Sequence, residues 1–530
     1  MAARDSALCA FEQIALLSKS AERLCYKGNA LPGNALALND SRLMTLNRGA
    51  QRAIIAIYFA VLAAVYAIAW LAPAIGLYHD DAIYLVTAKA IAAGHGYVID
   101  SLPNPVPQTQ FPPLFTSILA LFTLVSLQPQ WLKLLPLACS VGWLLLTRKL
   151  LLKMGASRNG ALLLVGLTAA SPTIVFLGTN LMAESLFALL TTAALLALLE
   201  ERALLAGLFA GLATLTRTAG VALIAACILT LVVRRRFRSA VIFATVAMAM
   251  AAPWFGWSLA HPGNNYPASN ILTGLAASEK LVVLGHNLVS LLGSPFSLLS
   301  GLSSTFTVVV TVLVLIWSLY VRRQLVPDLF IALYCFMLLC WTWPPERFVA
   351  PILPLVLWIV WRVFQLMELR EALAALVLLG SLIPLWADAI RIPPARANGY
   401  FQITGPPADN WMEMQKLFGF IRANTPSNSI FLANPDGVFY LNTGRKSIRG
   451  FDPNGFDLFY AARQSATTPD RLSSAIVNAQ VNYVVLTPDR GLAESAAFHR
   501  SVEALERGGI LEPVSIPGGS RDYRLLKVTR

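Results

Sequence analysis

The chain has 530 residues, of which 56% are hydrophobic and only 13% are charged, and its mean hydropathy is +0.62. Soluble globular domains carry about 25% charged residues, so the composition excludes that class and predicts a membrane protein. The net charge of +13 does not indicate nucleic-acid binding. The basic residues form short clusters between apolar runs, as they do in the cytoplasmic loops of membrane proteins.

Charged residues divide the chain into three regions: residues 1–52 hold 11 of them, residues 53–390 hold 30 and residues 391–530 hold 28. Residues 1–51 lack the short apolar segment and cleavage site of a signal peptide, and we expect a disordered cytoplasmic tail. Because Met44 precedes the first long apolar run, residues 1–43 are alternatively an over-extended reading frame. Residues 52–390 are the predicted transmembrane module, and residues 391–530 contain no cysteine and must fold without disulfides.

Twelve apolar runs are candidates for membrane helices, each of which needs about 20 apolar residues. The runs are 53–75, 111–128, 131–147, 159–177, 183–199, 203–216, 218–233, 239–257, 305–321, 326–343, 347–361 and 372–388.

The sidedness of these runs follows from four basic clusters, at residues 42–52, 148–158, 234–238 and 322–323, which we expect in the cytoplasm. An even number of crossings must separate the first two clusters, yet three runs lie between them. The run 111–128 begins Phe-Pro-Pro, and we predict that it lies in the outer interface as an amphipathic helix. Eleven crossings then remain, and the outer loop 76–130 and residues 391–530 are expected outside the cell membrane.

The C-terminal region 391–530 has the pattern of a small α/β domain. Residues 410–423 suit an amphipathic helix. Residues 429–433, 483–486 and 523–528 are short apolar segments bounded by turn residues, which is typical of strands.

The segment after the first apolar run carries the acidic pair Asp80 and Asp81, preceded by His79 and followed by Tyr84. Two adjacent carboxylates raise the pKa of one of them unless a cation compensates, so the pair is a candidate general base or ligand set. Alternatively, both carboxylates cap a helix over residues 82–92, where they satisfy free N–H groups and the helix dipole. The two interpretations are compatible.

Three further charged residues lie near the predicted outer surface: Glu184 at the start of a helix, Arg217 between two short apolar runs, and Arg347 after Pro-Pro-Glu. Charge at such positions is costly and usually functional, and two arginines from distant helices could bind one lipid phosphate. Each also has a simpler interpretation. Glu184 would be an ordinary interfacial carboxylate, Arg217 would reach lipid headgroups, and Arg347 would pair with Glu346.

Other catalytic motifs are missing from the sequence. The five histidines show no HExxH or HxxxH spacing, and GxxxxGK[ST], GxSxG and CxxC do not occur, which disfavours a zinc hydrolase, a P-loop nucleotidase and a serine hydrolase. A divalent metal on His79, Asp80 and Asp81 stays open and is not assigned.

The ordered set of these features resembles the GT-C superfamily of integral-membrane glycosyltransferases, in particular the branch of aminoarabinose transferases and protein O-mannosyltransferases. In that family an acidic pair in the first outer loop carries the catalytic Asp, and Asp80-Asp81 occupies that position here. The similar elements that follow in order are Phe111-Pro112-Pro113-Leu114, Glu184-Ser185-Leu186-Phe187, Thr216-Arg217 and Arg347-Phe348-Val349-Ala350-Pro351-Ile352-Leu353-Pro354. The Glu-Lys-Pro variant of the second element, found in aminoarabinose transferases, is absent, so that sugar is not favoured over hexoses or pentoses.

The resemblance implies a polytopic helical GT-C fold with a small extracytoplasmic C-terminal α/β domain, and an inverting glycosyltransferase of the cytoplasmic (inner) membrane. Its donor would be a polyprenyl-phosphate sugar and its acceptor a hydroxyl group of a lipid, glycan or protein on the outer face. Asp80 would be the general base, with Asp81 beside it as a second catalytic carboxylate. Arg217 and Arg347 would bind the donor phosphate, and His79, Tyr84 and Glu184 would orient the substrate. Members of this branch need no metal cofactor.

Three other functions remain as alternatives. A lipid-linked sugar transporter or flippase would need polar groups along a central path, but runs 239–257 and 305–321 carry no charge. A polysaccharide ligase or polymerase would use the same kind of lipid carrier. A non-enzymatic assembly protein would tolerate Asp80→Asn and Arg217→Ala.

Overall fold

A computed structural model of the protein describes residues 48–71, 75–76, 79–261, 272, 275–300, 304–318, 325–366, 411–450, 460, 467–487, 493–519 and 521–529. Residues 1–47 of the expected tail and the last apolar run, 372–388, lie outside these residues. By its contacts the chain divides into Met1–Tyr58 and Phe59–Arg530. All the residues of the candidate site belong to the second unit.

The described part of residues 48–366 is almost entirely helical. Its helices are α1 (Arg48–Leu71), α2 (His79–Ala92), α3 (Pro113–Val125), α4 (Pro129–Leu132), α5 (Leu134–Lys153), α6 (Arg158–Ala169), α7 (Pro172–Thr179), α8 (Glu184–Leu199), α9 (Ala203–Thr214), α10 (Gly220–Val233), α11 (Phe237–Ala260), α12 (Ala277–Ser300), α13 (Ser304–Ser318), α14 (Leu325–Leu339) and α15 (Leu353–Leu366). A 3-10 helix, Glu346–Ile352, precedes α15, and the two-residue strands β1 (Val98–Ile99) and β2 (Val106–Pro107) pair antiparallel.

Two described helical stretches are long and apolar enough to cross a membrane, namely Pro129–Lys153 and Phe237–Ala260. Helices α6 and α7 pass the same test together, but they are bent by 70° at the break between them. Several other helices are apolar but shorter, among them α8, α9 and α10. The fold is therefore polytopic and helical, whereas the count of eleven crossings stays a prediction.

Residues 76–130, predicted to lie outside the membrane and here called the outer segment, form helices where the sequence predicts them, with one shift of boundary. The expected helix 82–92 begins earlier, at His79, so Asp80 and Asp81 lie within its first turn rather than before it. Carboxylates in a first turn still interact favourably with the helix dipole. The segment 111–128 contains α3, which has prolines at its start.

Helices α9 and α11 approach each other through a Gly-x-x-x-Gly pair. A Cβ atom added to Gly207 would lie 2.6 Å from the backbone oxygen of Phe243, and one added to Gly211 would lie 2.6 Å from Cβ of Met250. Small residues at this spacing let two helix backbones pack closely in membrane proteins. The contact fixes the position of α9, the helix that ends shortly before Arg217.

Replacing Gly211 with Leu is expected to lower the free energy of unfolding by about 1–3 kcal/mol, as other overpacking substitutions do. The measurement is the melting temperature of the purified protein in detergent. Gly256→Leu in α11 is the matched control, because a Cβ atom at Gly256 meets nothing within 4 Å. Equal melting temperatures for the two variants would contradict the close approach of α9 and α11.

The C-terminal part is α/β, as the sequence predicts. Its elements are α16 (Trp411–Asn424), β3 (Phe431–Leu432), α17 (Asp436–Thr443), β4 (Ser447–Ile448), α18 (Pro469–Asn478), β5 (Tyr483–Leu486), α19 (Ala493–Arg507), β6 (Leu511–Val514) and β7 (Arg524–Val528). The expected helix 410–423 and the three expected strands are confirmed within a few residues. The five strands form one sheet in the order β4-β3-β5-β7-β6, parallel on the β4-β3-β5 side and antiparallel around β7.

The sheet has an apolar core on each face, because neighbouring strand residues point to opposite sides. Phe431, in the cluster on one face, packs with residues of α16 and α17. Leu432, in the cluster on the other face, packs with residues of α18 and α19. Ala82 of α2 belongs to the first cluster, so the outer segment before β1 packs on this face of the sheet.

Candidate active site

Four charged side chains from distant parts of the chain meet at one place: Asp80, Glu184, Arg217 and Arg347, here called the charged cluster. Nη2 of Arg347 donates a hydrogen bond to Oδ2 of Asp80. Nη1 of Arg217 lies 2.8 Å from Oε1 of Glu184, and Nε of Arg347 lies 3.8 Å from the same oxygen. The structure thus brings together the two predicted phosphate-binding arginines, the predicted general base and the predicted orienting carboxylate.

The cluster is mostly removed from solvent. The side chain of Glu184 is 1% exposed, that of Asp80 15% and that of Arg217 16%. The Arg217–Glu184 contact is an ion pair whose angles do not meet hydrogen-bond geometry. Buried charges are tolerated only when they are paired, so each member depends on the others.

Phe348 holds the two arginines side by side. The guanidinium carbon of Arg217 lies 5.0 Å from the centre of the Phe348 ring, and that of Arg347 lies 4.8 Å from it. The ring in turn is positioned by its backbone, because the hydroxyl of Tyr334 donates to the Phe348 carbonyl oxygen over 2.9 Å. We call Arg217 and Arg347 the arginine pair. Guanidinium groups bind planar carboxylates and tetrahedral phosphates, and phosphate binding by this pair stays a prediction.

A tight connection between α9 and α10 presents Arg217. A Cβ atom added to Gly220 would come within 2.6 Å of the backbone of Thr214, so the connection closes only with glycine there. The backbone N–H of Leu114 donates to the Leu215 carbonyl oxygen over 2.9 Å. The Phe-Pro-Pro-Leu element therefore ties the outer segment to the arginine.

Tyr84 packs against the Phe-Pro-Pro-Leu element. Its ring packs 4.5 Å from that of Phe111 and 5.1 Å from that of Phe115, and the side chain is 1% exposed. Burial, together with the nearby Glu184 and Asp80 charges and against the pull of Arg217, raises the pKa of Tyr84 well above its ordinary value. The phenol therefore stays protonated, and its hydroxyl is a donor beside the cluster.

His79 and Asp81 have different surroundings. Nδ1 of His79 is 3.8 Å from Oδ1 of Asp80. Asp81 is 1% exposed and interacts electrostatically with Lys133, whose side chain is also buried. Among the described residues, no three His, Cys, Asp or Glu side chains are grouped closely enough to hold a metal ion.

Lys133 is the residue near the site that our reading of the sequence missed. It stands alone in the apolar run 131–147, and a single charge in such a run is by default a functional candidate. That signal was available in the sequence. The partner of Lys133 was not evident from the sequence, since Asp81 and Lys133 approach each other only in the folded chain.

The charged cluster keeps Asp80 ionised. Burial by itself would raise the pKa of Asp80, but the Arg347 guanidinium, with smaller contributions from His79 and Arg217, lowers it well below the ordinary value of about 3.9. A lowered pKa means that the carboxylate loses its charge only as the pH falls below the ordinary carboxyl range. At neutral pH the Asp80 carboxylate is therefore ionised and able to accept a proton, and it is paired with Arg347.

Replacing Arg347 with Gln is expected to move the acid limb of an activity profile to higher pH. The substitution removes the main charge that lowers the pKa of Asp80 and leaves burial, which raises it. The measurement is kcat/KM against pH in both proteins, for the sugar-transfer reaction proposed below. Superimposable acid limbs would show that Arg347 does not control the ionisation of Asp80.

No protein-family model and no curated protein matches the sequence. Among solved structures, ArnT from Cupriavidus metallidurans in the apo state is similar with a TM-score of 0.58 and 13% identity, over 90% of this chain and 98% of that chain. The chain has the GT-C fold. ArnT bound to undecaprenyl phosphate gives a TM-score of 0.56 and 12% identity, over 89% of this chain and 98% of that chain.

The similarity confirms the predicted resemblance to the GT-C superfamily at the level of the fold. It extends over almost the whole of the ArnT chain, so the arrangement of the GT-C helices and the C-terminal part is shared, and not only a local motif. Together with the mean hydropathy of +0.62 and the apolar helices, the GT-C fold supports a membrane location.

Proposed function

We propose that the protein is an inverting glycosyltransferase that moves a sugar from a polyprenyl-phosphate donor to an acceptor hydroxyl group. The observation that carries the proposal is the charged cluster: an arginine pair, 16% exposed at Arg217 and 33% at Arg347, directly beside an ionised carboxylate. An anion site next to a proton acceptor is what transfer from a phosphate leaving group needs. That the similar ArnT structure was solved with undecaprenyl phosphate supports the same class of donor here.

In the proposed reaction the acceptor oxygen attacks the anomeric carbon of the donor sugar as the bond from that carbon to the phosphate oxygen breaks. The bonding electrons leave with the polyprenyl phosphate, whose negative charge increases by one. Arg217 and Arg347 stabilise this charge, which is electrostatic stabilisation of the transition state. The acceptor proton passes to Asp80, and attack from the face opposite the phosphate inverts the anomeric carbon.

The contact between Asp80 and Arg347 gives donor binding a second role. While Arg347 is paired with Asp80, the lowered pKa makes the carboxylate a weak base. A lipid phosphate on the arginine pair competes for the guanidinium, and the pKa of Asp80 then rises towards the ordinary range. Asp80 thus becomes a better base only when the donor is bound.

The other predicted residues support this reaction in our proposal. Glu184 holds both arginines near one oxygen, and the Tyr84 hydroxyl and His79 lie where they can orient the sugar or Asp80. Asp81 contributes indirectly: it interacts with Lys133 and so helps to hold the start of α2, which carries Asp80. No metal takes part in the proposed chemistry.

The proposed site faces the outside of the cytoplasmic membrane, in agreement with the charge pattern of the predicted loops. In that arrangement the C-terminal α/β part is extracytoplasmic and eleven helices cross the membrane. The donor sugar is a hexose or a pentose, and the acceptor is a lipid, a glycan or a protein. The polyprenyl chain lies among the apolar helices while its phosphate reaches the arginine pair.

The test is transfer of radiolabelled sugar from a panel of polyprenyl-phosphate sugars by the purified protein in lipid nanodiscs, with a crude membrane extract as acceptor. We expect one donor to be consumed, with release of polyprenyl phosphate and a labelled product of inverted configuration. If every donor is left intact while the folded protein still binds polyprenyl phosphate, the transferase proposal is wrong. In that case the transporter alternative gains support.

A further inference from the structure

The helix that carries Asp80 packs directly on the C-terminal part of the chain. A Cβ atom added to Gly437 in α17 would lie 3.1 Å from Cβ of Ala82 and 3.5 Å from its carbonyl carbon. Ala82 is fully buried, in the same apolar cluster as Phe431 and Phe439. Two residues after the proposed general base, α2 is therefore in contact with the core of the α/β part.

A buried carboxylate joins the same two segments. Asp436 is 0% exposed and accepts hydrogen bonds from Oγ of Ser101 and from Nε of Arg449, each over 2.7 Å. The N–H of Ser447 donates to the Ser101 carbonyl oxygen over 3.0 Å. The outer segment and the α/β part are thus linked by a network of buried polar groups, which are costly to separate.

Asp436 is also close enough to His79, the residue before Asp80, for an electrostatic interaction. Burial would raise its pKa, but Arg449, and after it His79 and Ser101, lower it. Its negative charge is therefore maintained, and His79 is one of the groups that favour it. Nδ1 of His79 is itself 3.8 Å from Oδ1 of Asp80.

A second link between the two segments lies further from the cluster and is more exposed. Nζ of Lys446 is 2.9 Å from Oδ1 of Asp100, and the Lys446 side chain is 35% exposed. The Asp100 side chain is 12% exposed, but without Lys446 it keeps Nδ1 of His95 at 3.2 Å and the Tyr440 hydroxyl at 3.5 Å as partners. The Lys446–Asp100 pair joins the same two parts of the chain without contacting α2 at Asp80, so it offers a matched control.

We propose that Asp436 is a positioning residue for sugar transfer: with Gly437 it fixes the start of α2, so that His79 and Asp80 stay in register with the arginine pair. This inference rests on the proposed function. In this inference the C-terminal α/β part supports the active site from outside, through its contact with α2.

The test compares Asp436→Asn and the milder Ser101→Ala with wild type, with kcat and KM measured per amount of folded protein. A displacement of about 1 Å at a reacting group costs up to about 10²-fold in rate. We expect kcat to fall about 10- to 100-fold in Asp436→Asn and less in Ser101→Ala, with the donor KM little changed. Lys446→Met should keep the wild-type kcat.

Either of two results would overturn the inference. One is a wild-type kcat in folded Asp436→Asn, and the other is an equal loss in Lys446→Met, which would indicate a general effect of loosened packing. Hydrogen exchange of residues 79–92 separates this inference from the proposed function. If exchange is faster in Asp436→Asn than in Lys446→Met but wild type is inactive on every donor, Asp436 does hold α2 in place and the proposed reaction is refuted.

A cross-link tests whether the contact must stay closed. In the variant Ala82→Cys/Gly437→Cys, the two Cβ atoms start 3.1 Å apart, a little closer than the roughly 3.5–4.5 Å found in disulfides, so a small shift between α2 and α17 lets the bond form. We expect the oxidised variant to transfer sugar as fast as the reduced one. A large loss on oxidation, recovered on reduction, would show that α17 must leave α2 during turnover, which contradicts a fixed positioning role.

Discussion

Replacing Asp80 with Asn is expected to lower kcat for sugar transfer by about 10²- to 10⁴-fold, the usual contribution of a general base. Asn fills the same space beside Arg347 but accepts no proton from the acceptor hydroxyl. The donor KM should rise little or fall, because Arg347 loses its carboxylate partner and is freer to bind phosphate. The measurement is the rate of polyprenyl-phosphate release at saturating donor.

The matched control for this substitution is Asp470→Asn in the first turn of α18. Asp470 is exposed, and the same chemical change there should leave kcat as it is. A melting temperature near that of wild type would establish that Asp80→Asn is folded. A folded Asp80→Asn protein that turns over like wild type would remove Asp80 from the role of base and favour an assembly or transport function.

Replacing Arg217 with Ala is expected to affect both stability and activity. The substitution leaves Glu184 buried, with Arg347 at 3.8 Å as its remaining charged partner in the cluster. Breaking a buried ion pair in this way costs about 3–5 kcal/mol. A lost hydrogen bond to a charged group costs about 1.5–3 kcal/mol, so the affinity for polyprenyl phosphate should fall about 10- to 100-fold.

The double variant Arg217→Ala/Glu184→Gln separates these two effects. Glu184→Gln removes the buried charge that has lost its nearest partner, so much of the melting temperature should be restored. Binding of polyprenyl phosphate should stay weak. Arg236→Ala is the control, because its ion pair with Glu201 is exposed on both sides and should matter for neither property. If the double variant regained binding as well as stability, Arg217 would serve only to pair with Glu184 and would not bind the donor phosphate.

The sequence alone was sufficient to select most of the candidate site. Charge is rare between residues 53 and 390, so each ionisable residue there stood out, and Asp80, Glu184, Arg217 and Arg347 do meet in space. The strands of the C-terminal part were also predictable, because each is a short apolar segment between turn residues.

The pairing within the site was not predictable from the sequence. Within the protein, Arg347 was expected to pair with Glu346, whereas it contacts Asp80, because only the packed fold decides which charges lie side by side. The hydroxyl of Ser290 donates to Glu346 instead. Asp436 was indistinguishable from the other charges of a polar region. Its burial depends on contacts with Ser101, far away in the chain.

The most direct test of the proposed site is a structure of the protein in nanodiscs with polyprenyl phosphate bound, by electron cryo-microscopy. We expect phosphate oxygens at hydrogen-bond distance, about 2.7–3.2 Å, from the guanidinium groups of both Arg217 and Arg347, with the contact between Arg347 and Asp80 lengthened. A lipid phosphate bound elsewhere, with the charged cluster unchanged, would contradict the proposed site.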